Sequence, residues 1–215
     1  MANWRRYGLP YLGSFTFAQM KALTGMSEGD VVKVTNYGRG GSLWRYSASL
    51  TDWFPMSPTK VYEKTATTDG VTQLADQLLL AIPTEAGLLA NKVWRLTVSF
   101  GKDGTTDAAG TFSMRMGTAG TIADTAVWQA SSALSAANRC VGYDSWNRMA
   151  SATSVEKLGG SASAAWSGGT SGSTLNAATT VANVATQATY VSLTTTMGGT
   201  TNKPQLGYVA LEIQP

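Results

Sequence analysis

The chain has 215 residues, enough to bury a sizeable core as one domain or as one domain with a small module. Sixteen basic residues against 13 acidic leave a net charge of +3, too mild to point to nucleic acid. With no histidine and a single cysteine, Cys140, the chain has no intrachain disulfide and none of the commonest nitrogen–sulfur zinc sites.

The start, MANWRRYGLPYLG, lacks the apolar run of a signal peptide, and no stretch reaches the roughly 18 apolar residues of a membrane span. The expectation is synthesis in a cytoplasm without classical export, and no membrane insertion. Residues 1–13 carry Trp4, Arg5, Arg6, Tyr7 and Pro10 without periodicity. They read as an anchoring arm that orders against a neighbour or folds back on its own domain. Residues 1–60 hold seven basic residues against Glu28, Asp30 and Asp52. A basic head on a nearly neutral body suits docking to an acidic partner, and ordinary surface variation gives the same figure.

Residues 14–58 read as a small helix-plus-hairpin module. In FTFAQMKALTG, Thr16 and Gln19 form a capping box, Phe17 and Met20 share a face, and Gly25 suits the terminating position. VVKVTNY then places Val32 and Val34 on one side, and GRGGS turns the chain into LWRYSA. TDW reads as a further turn, with Trp53 and Phe54 closing a core too small to stand alone. Pro55 and Pro58 mark the boundary.

From residue 59 to 215 the period is mostly two, which predicts an all-β sandwich or jelly roll. QLLLAIP places Leu78, Leu80 and Ile82 on one side, with Pro83 ending the run. KVWRLTVSFG carries the strongest strand signal, with Trp94, Leu96, Val98 and Phe100 inward. TFSMRMG repeats it with Phe112, Met114 and Met116 inward and Arg115 outward. TAVWQA, RCVGYDSWNRM, TSVEKL, TYVSLTTTM and LGYVALEIQ supply further strands, the last expected to be central or well paired. Residues 158–202 include a long uncharged stretch, expected to face another subunit or a particle surface unless it is a plain exposed loop.

Chemical motifs are sparse. GRGGS opens a strand rather than a helix, and its glycines match neither nucleotide-binding spacing, so a tight turn is the reading. No histidine is present to activate a serine, and there is no G-x-S-x-G elbow. Asp103 with Asp107 offers too few oxygens for calcium, and Asp144 with Glu156 is not placed by sequence across a cleft. The expectation is no enzyme, no catalytic residue, no metal and no cofactor. Seven tryptophans leave room for sugar binding. Trp44 and Trp94 alternate with polar residues inside strands and read as core, whereas Trp146, Asn147 and Arg148 in YDSWNR are the candidate glycan contacts.

The stretch from FTFAQMKAL through EGDVVKVTNYGRGGSLWRYSASLTDWFP resembles a small domain recurring near the start of tailed-bacteriophage appendage proteins. The matching residues are Gly29, Asp30, Val31, Val32, Gly40, Gly41, Leu43, Trp44, Trp53 and Pro55. The rest, especially LLLAIPTEAGLLANKVWRLTVSFGKDGT, GTFSMRMG and the ending GYVALEIQP, resembles the jelly-roll domains of phage head fibres and tail proteins. The resemblance implies a virion structural protein made in the host cytoplasm, a short head fibre, spike or decoration protein on the capsid that forms homotrimers. Its partners would be other virion proteins (major capsid, portal or tail), met through Trp4, Arg5, Arg6 and Tyr7. The alternative it implies is a tail fibre or tail-tip protein binding host surface glycan.

Overall fold

The computed structural model describes residues 10–71, 75–103, 108–134, 140–162, 178–198 and 202–215. It is predominantly β-strand, organised as three sheets, with one short α-helix among the described residues.

The first sheet contains β1 (Tyr11–Phe15), β2 (Val31–Val34), β3 (Ser42–Ser47) and β4 (Asp52–Pro55), in that order. Helix α1 (Phe17–Lys21) crosses between β1 and β2, which is how the chain returns to run them parallel. Its capping box forms as expected: Gln19 N–H donates to Thr16 Oγ1 and Thr16 N–H to Gln19 Oε1. Phe17 and Met20 drop into the core against Trp44. Thr16→Ala should therefore cost about 1 kcal/mol in a urea unfolding measurement.

Strand β1 takes up residues 11–13 of the segment read as an arm, which there folds back on its own domain. Tyr11 and Leu12 are both exposed, so the segment has no apolar alternation to read, and backbone pairing with β2 together with the packing of Phe15 on the core recruits it. TDW is not a turn. The turn ends on its first residue, Thr51 at φ 50°, and Asp52 opens β4.

In the β2–β3 connection Gly38, Gly40 and Gly41 all have positive φ. At Gly41 a Cβ would lie 2.6 Å from Lys33 Cε and 2.8 Å from the Val34 carbonyl oxygen, whereas at Gly40 it would meet nothing within 4 Å. Gly41→Ala is expected to lose clearly more stability, roughly 2–3 kcal/mol, than Gly40→Ala at about 1, read from denaturant midpoints. Equal losses would mean that the turn relaxes freely.

The body consists of the other two sheets. One has the order β13 (Ala178–Thr180), β12 (Ser154–Ala162), β11 (Cys140–Ser151), β8 (Val93–Lys102), β15 (Pro204–Ile213), β5 (Thr59–Lys64), with β6 (Thr68–Asp69) also on β15. The second has the order β10 (Thr125–Leu134), β9 (Ala108–Gly117), β14 (Thr189–Met197), β7 (Gln77–Thr84). Their inner faces meet. Phe100 of β8 lies 5.1 Å, ring to ring, from Phe112 of β9, and Trp128 of β10 lies 4.4 Å from Tyr143 of β11. Trp94, Leu96, Val98, Phe100, Phe112, Met114 and Met116 all point inward, as the alternation requires. Strand β15 lies between β8 and β5, and Val209, Leu211 and Ile213 are fully buried.

Strand β7 corrects the expected face. Leu79 and Ile82 are inward and Leu78 is exposed, because Leu80 faces Leu193 and Leu78 faces Thr194, leaving Leu79 as the extra residue of a bulge. Pro83 does not end the strand. It pairs with Tyr190 on an edge strand, where a missing N–H costs no ladder bond. The uncharged stretch is also partly explained, since β14 is central in its sheet and Val191, Leu193, Thr194 and Thr195 are all buried. Charge is excluded there by the chain's own core. Residues 163–177 and 199–201 of that stretch lie outside the described residues.

Candidate functional site

Among the places where chemistry-bearing side chains meet, two bear most on function: the joint between the N-terminal sheet and the body, and the outer face of the larger body sheet.

At the joint, Asp52 of β4 is 2% exposed and accepts from three donors. These are its neighbour's backbone, Trp53 N–H, at 2.8 Å, Lys21 Nζ of α1 at 2.8 Å and Lys92 Nζ at 2.7 Å. Lys92 comes from the body, in the loop that leads into β8, and its side chain has no exposed surface. Its ammonium also donates to the Ala90 carbonyl at 3.0 Å and lies 5.1 Å from the Phe54 ring and 5.9 Å from the Trp44 ring. Burial pulls the Lys92 pKa below the ordinary lysine value, and the Asp52 carboxylate opposes that pull. Phe54 therefore closes over a cation at the joint rather than over an apolar core.

Glu85 of the same loop adds two bonds, from Tyr37 Oη at 2.6 Å and Asn36 Nδ2 at 3.0 Å. Burial, reinforced by the Glu85 carboxylate, pushes the Tyr37 phenol far above its usual range. Side chains of the module and the body belong to one continuous apolar core. The small module, expected to lean on a partner, leans on the body of its own chain.

Beside the joint, Arg45, Leu50, Phe54, Met56 and Pro215 line an open groove of about 420 Å³. Leu50 is 53% exposed and Met56 45%, and Tyr11 and Leu12 on β1 are comparably bare.

On the outer body face, β11 presents Asp144, Trp146 and Arg148. Trp146 is 37% exposed. The Arg95 guanidinium of the neighbouring β8 lies 5.6 Å from the Trp146 ring centroid and is held by Asp144 through paired bonds of 2.8 Å each. Arg148 pairs with Glu156 of β12 at 2.5 Å. Asn147 is a correction. Strand alternation turns it inward, where it is fully buried and bonds to Ser145, so it cannot contact a ligand beside Trp146. The glycan triplet therefore reduces to Trp146 and Arg148, joined by Arg95, Asp144 and Glu212, which sequence reasoning did not single out as ligand contacts. The signal was available in the alternation of Arg95 against Trp94, but the cross-strand register that brings it to Trp146 was not.

Trp4, Arg5, Arg6 and Tyr7 lie outside the described residues. Among the carboxylates considered for catalysis, Asp144 and Glu156 are each bound to an arginine on an open face, and Asp103 accepts from Lys203 N–H. Asp107 lies outside the described residues. Among the described residues no group of three or more His, Cys, Asp or Glu could hold a metal ion.

No protein-family model matches this chain, and no curated protein or solved structure matches it either. The phage resemblance therefore rests on the quoted residues alone.

A third titratable cluster lies inside the body, where Lys157 Nζ donates to Tyr143 Oη at 2.6 Å and lies near the Trp128 ring. Burial, aided by the charge of Asp144, pushes the Tyr143 phenol up to about 12 from 10.0. A raised folded-state value means that the stability held by the protonated phenol is complete below about pH 10 and is lost as pH rises toward about 12. Stability measured by urea unfolding should fall across that window, and Tyr143→Phe should flatten the fall.

Proposed function

We propose that the chain is a non-enzymatic structural protein of a bacteriophage particle, a trimeric short head fibre, spike or decoration protein with a jelly-roll body and an N-terminal attachment module. The strand order supports the body's part in this reading. One sheet holds β5, β15, β8 and β11 and the other β7, β14, β9 and β10, while the chain passes repeatedly from sheet to sheet. That interleaving is the order of an eight-stranded jelly roll, with β12 and β13 added at one edge, an architecture recurrent in viral capsid and lectin domains.

The observation that carries the attachment reading is the combination found in the N-terminal sheet. It is fixed to the body by a buried ion pair, yet it leaves Leu50 and Met56 bare at a groove that contains Arg45, and Tyr11 and Leu12 bare on the strand at its opposite edge. A rigid module with an unpartnered apolar surface and a basic balance suits an apolar segment of a virion protein carrying a carboxylate. The arm with Arg5 and Arg6 would extend the same contact.

Co-sedimentation with particles lacking the protein tests this. The full chain should sediment with them, and both a chain without residues 1–9 and the Leu50→Ser/Met56→Ser variant should lose most of that binding. Undiminished binding by both variants would remove the module from the account. Analytical ultracentrifugation of the free protein should give the mass of three chains. The alternative, a tail protein that binds host glycan, draws on the Trp146 face and not on the module.

A further inference from the structure

The outer face of the larger body sheet sets an exposed indole among paired charges. Trp146 stands on a central part of that sheet, between β8 and β12, where its backbone is paired on both sides. A residue so placed is held far more firmly than one on a loop. On one side the indole meets the Arg95 guanidinium. On the other, its cross-strand partner is Gly159, where a Cβ would meet nothing within 4 Å. The ring is thus backed by a cation and open toward β12.

The surrounding polar groups are already neutralised in pairs. Arg95 is shared by Asp144 at 2.8 Å and Glu212 at 4.0 Å, and Arg148 is taken by Glu156. Each pair nevertheless retains exposed surface: Arg95 37%, Asp144 23%, Glu212 25%, Arg148 51% and Glu156 16% of the side chain. Two cations and three carboxylates form a fixed rim of hydrogen-bond donors and acceptors with a slight negative balance. Such a rim suits a ligand with many hydroxyls and no charge, because carboxylates accept from hydroxyls while repelling anions. The indole suits the apolar C–H face of a six-membered sugar ring, burying area on both partners without ordering a flexible side chain.

We propose that Trp146, with Arg95, Asp144 and Glu212, forms a binding platform for neutral pyranose sugars. Trp146 supplies the stacking surface, Arg95 and the two carboxylates orient the hydroxyls, and Gly159 keeps the approach clear. The platform stands independently of the virion reading, since none of its residues belongs to the attachment module.

The test is a titration of the full chain, labelled with ¹⁵N, followed at the indole N–H of Trp146, whose signal is assigned by its loss in Trp146→Phe. The probes are neutral oligosaccharides of glucose, galactose, mannose and N-acetylglucosamine, beside sialylated and sulfated counterparts. At least one neutral probe should shift the Trp146 signal with a dissociation constant of roughly millimolar or better. Trp146→Ala should weaken that probe roughly tenfold or more. Gly159→Leu supplies a second arm, because it covers the ring while leaving Trp146 and the fold in place, and it should abolish the shift. Unchanged binding in either variant, a preference for the anionic probes, or no response to any saccharide would overturn the proposal. So would a Trp146 signal that responds only to protein concentration, which would assign the face to a second copy of the chain.

Discussion

Lys92→Ala is expected to destabilise the protein by about 3–5 kcal/mol, because it leaves Asp52 deep at the joint with half of its charge compensation gone. Lys21 still reaches Asp52 Oδ1, and its side chain is 31% exposed, so the loss should fall toward the lower end of that range. The variant also opens a void beneath Phe54 and Trp44, whose rings now lie close to the ammonium. Combining Lys92→Met with Asp52→Asn removes the charge together with its partner and should recover much of the stability. Urea unfolding followed by far-ultraviolet circular dichroism checks both variants. A loss below about 1 kcal/mol in Lys92→Ala would show that Asp52 is solvated and that the joint is loose.

Phe112→Ala should cost about as much, about 3–5 kcal/mol, by a different route. Its ring is 2% exposed and lies between Phe100, at 5.1 Å, and Trp128, at 5.6 Å. It therefore ties the two body sheets together, and removing it leaves a cavity that paired strands on both sides cannot collapse into. A volume-conserving change beside it, Met114→Leu, should cost less than about 1.5 kcal/mol. The two large effects also probe how the molecule is divided. Since the module and body share one apolar core, both Lys92→Ala and Phe112→Ala should lower a single unfolding transition. An early, separate transition seen only with Lys92→Ala would mean that the module melts by itself.

The comparison of sequence with structure is uneven for physical reasons. Trp94 to Phe100 and Phe112 to Met116 were legible because a sheet buried on one face imposes strict alternation. The capping box at Thr16 was legible because both of its bonds are local. Strand β7 was misread because its bulge is decided by the pairing with β14, which lies more than a hundred residues away in the chain. Strand β1 was missed because an exposed edge strand needs no pattern. The joint at Asp52 and Lys92 had no local signature, since each residue alone looks like an ordinary solvated charge and only the fold buries them together. At the outer face, Trp146 and Arg148 were named from composition, whereas Asn147 was included by adjacency, which a strand's two faces do not respect.

The glycine-rich turn, the tryptophans at 44 and 53, and the basic head all belong to the module through which this account attaches the protein to a particle. Imaging purified particles in which the chain carries a C-terminal label tests that claim most directly. The account predicts label at regularly arranged sites on the particle surface, in groups of three copies, and its loss when residues 1–9 are removed. Purified particles that carry no label while the protein accumulates free in the infected cell would contradict it.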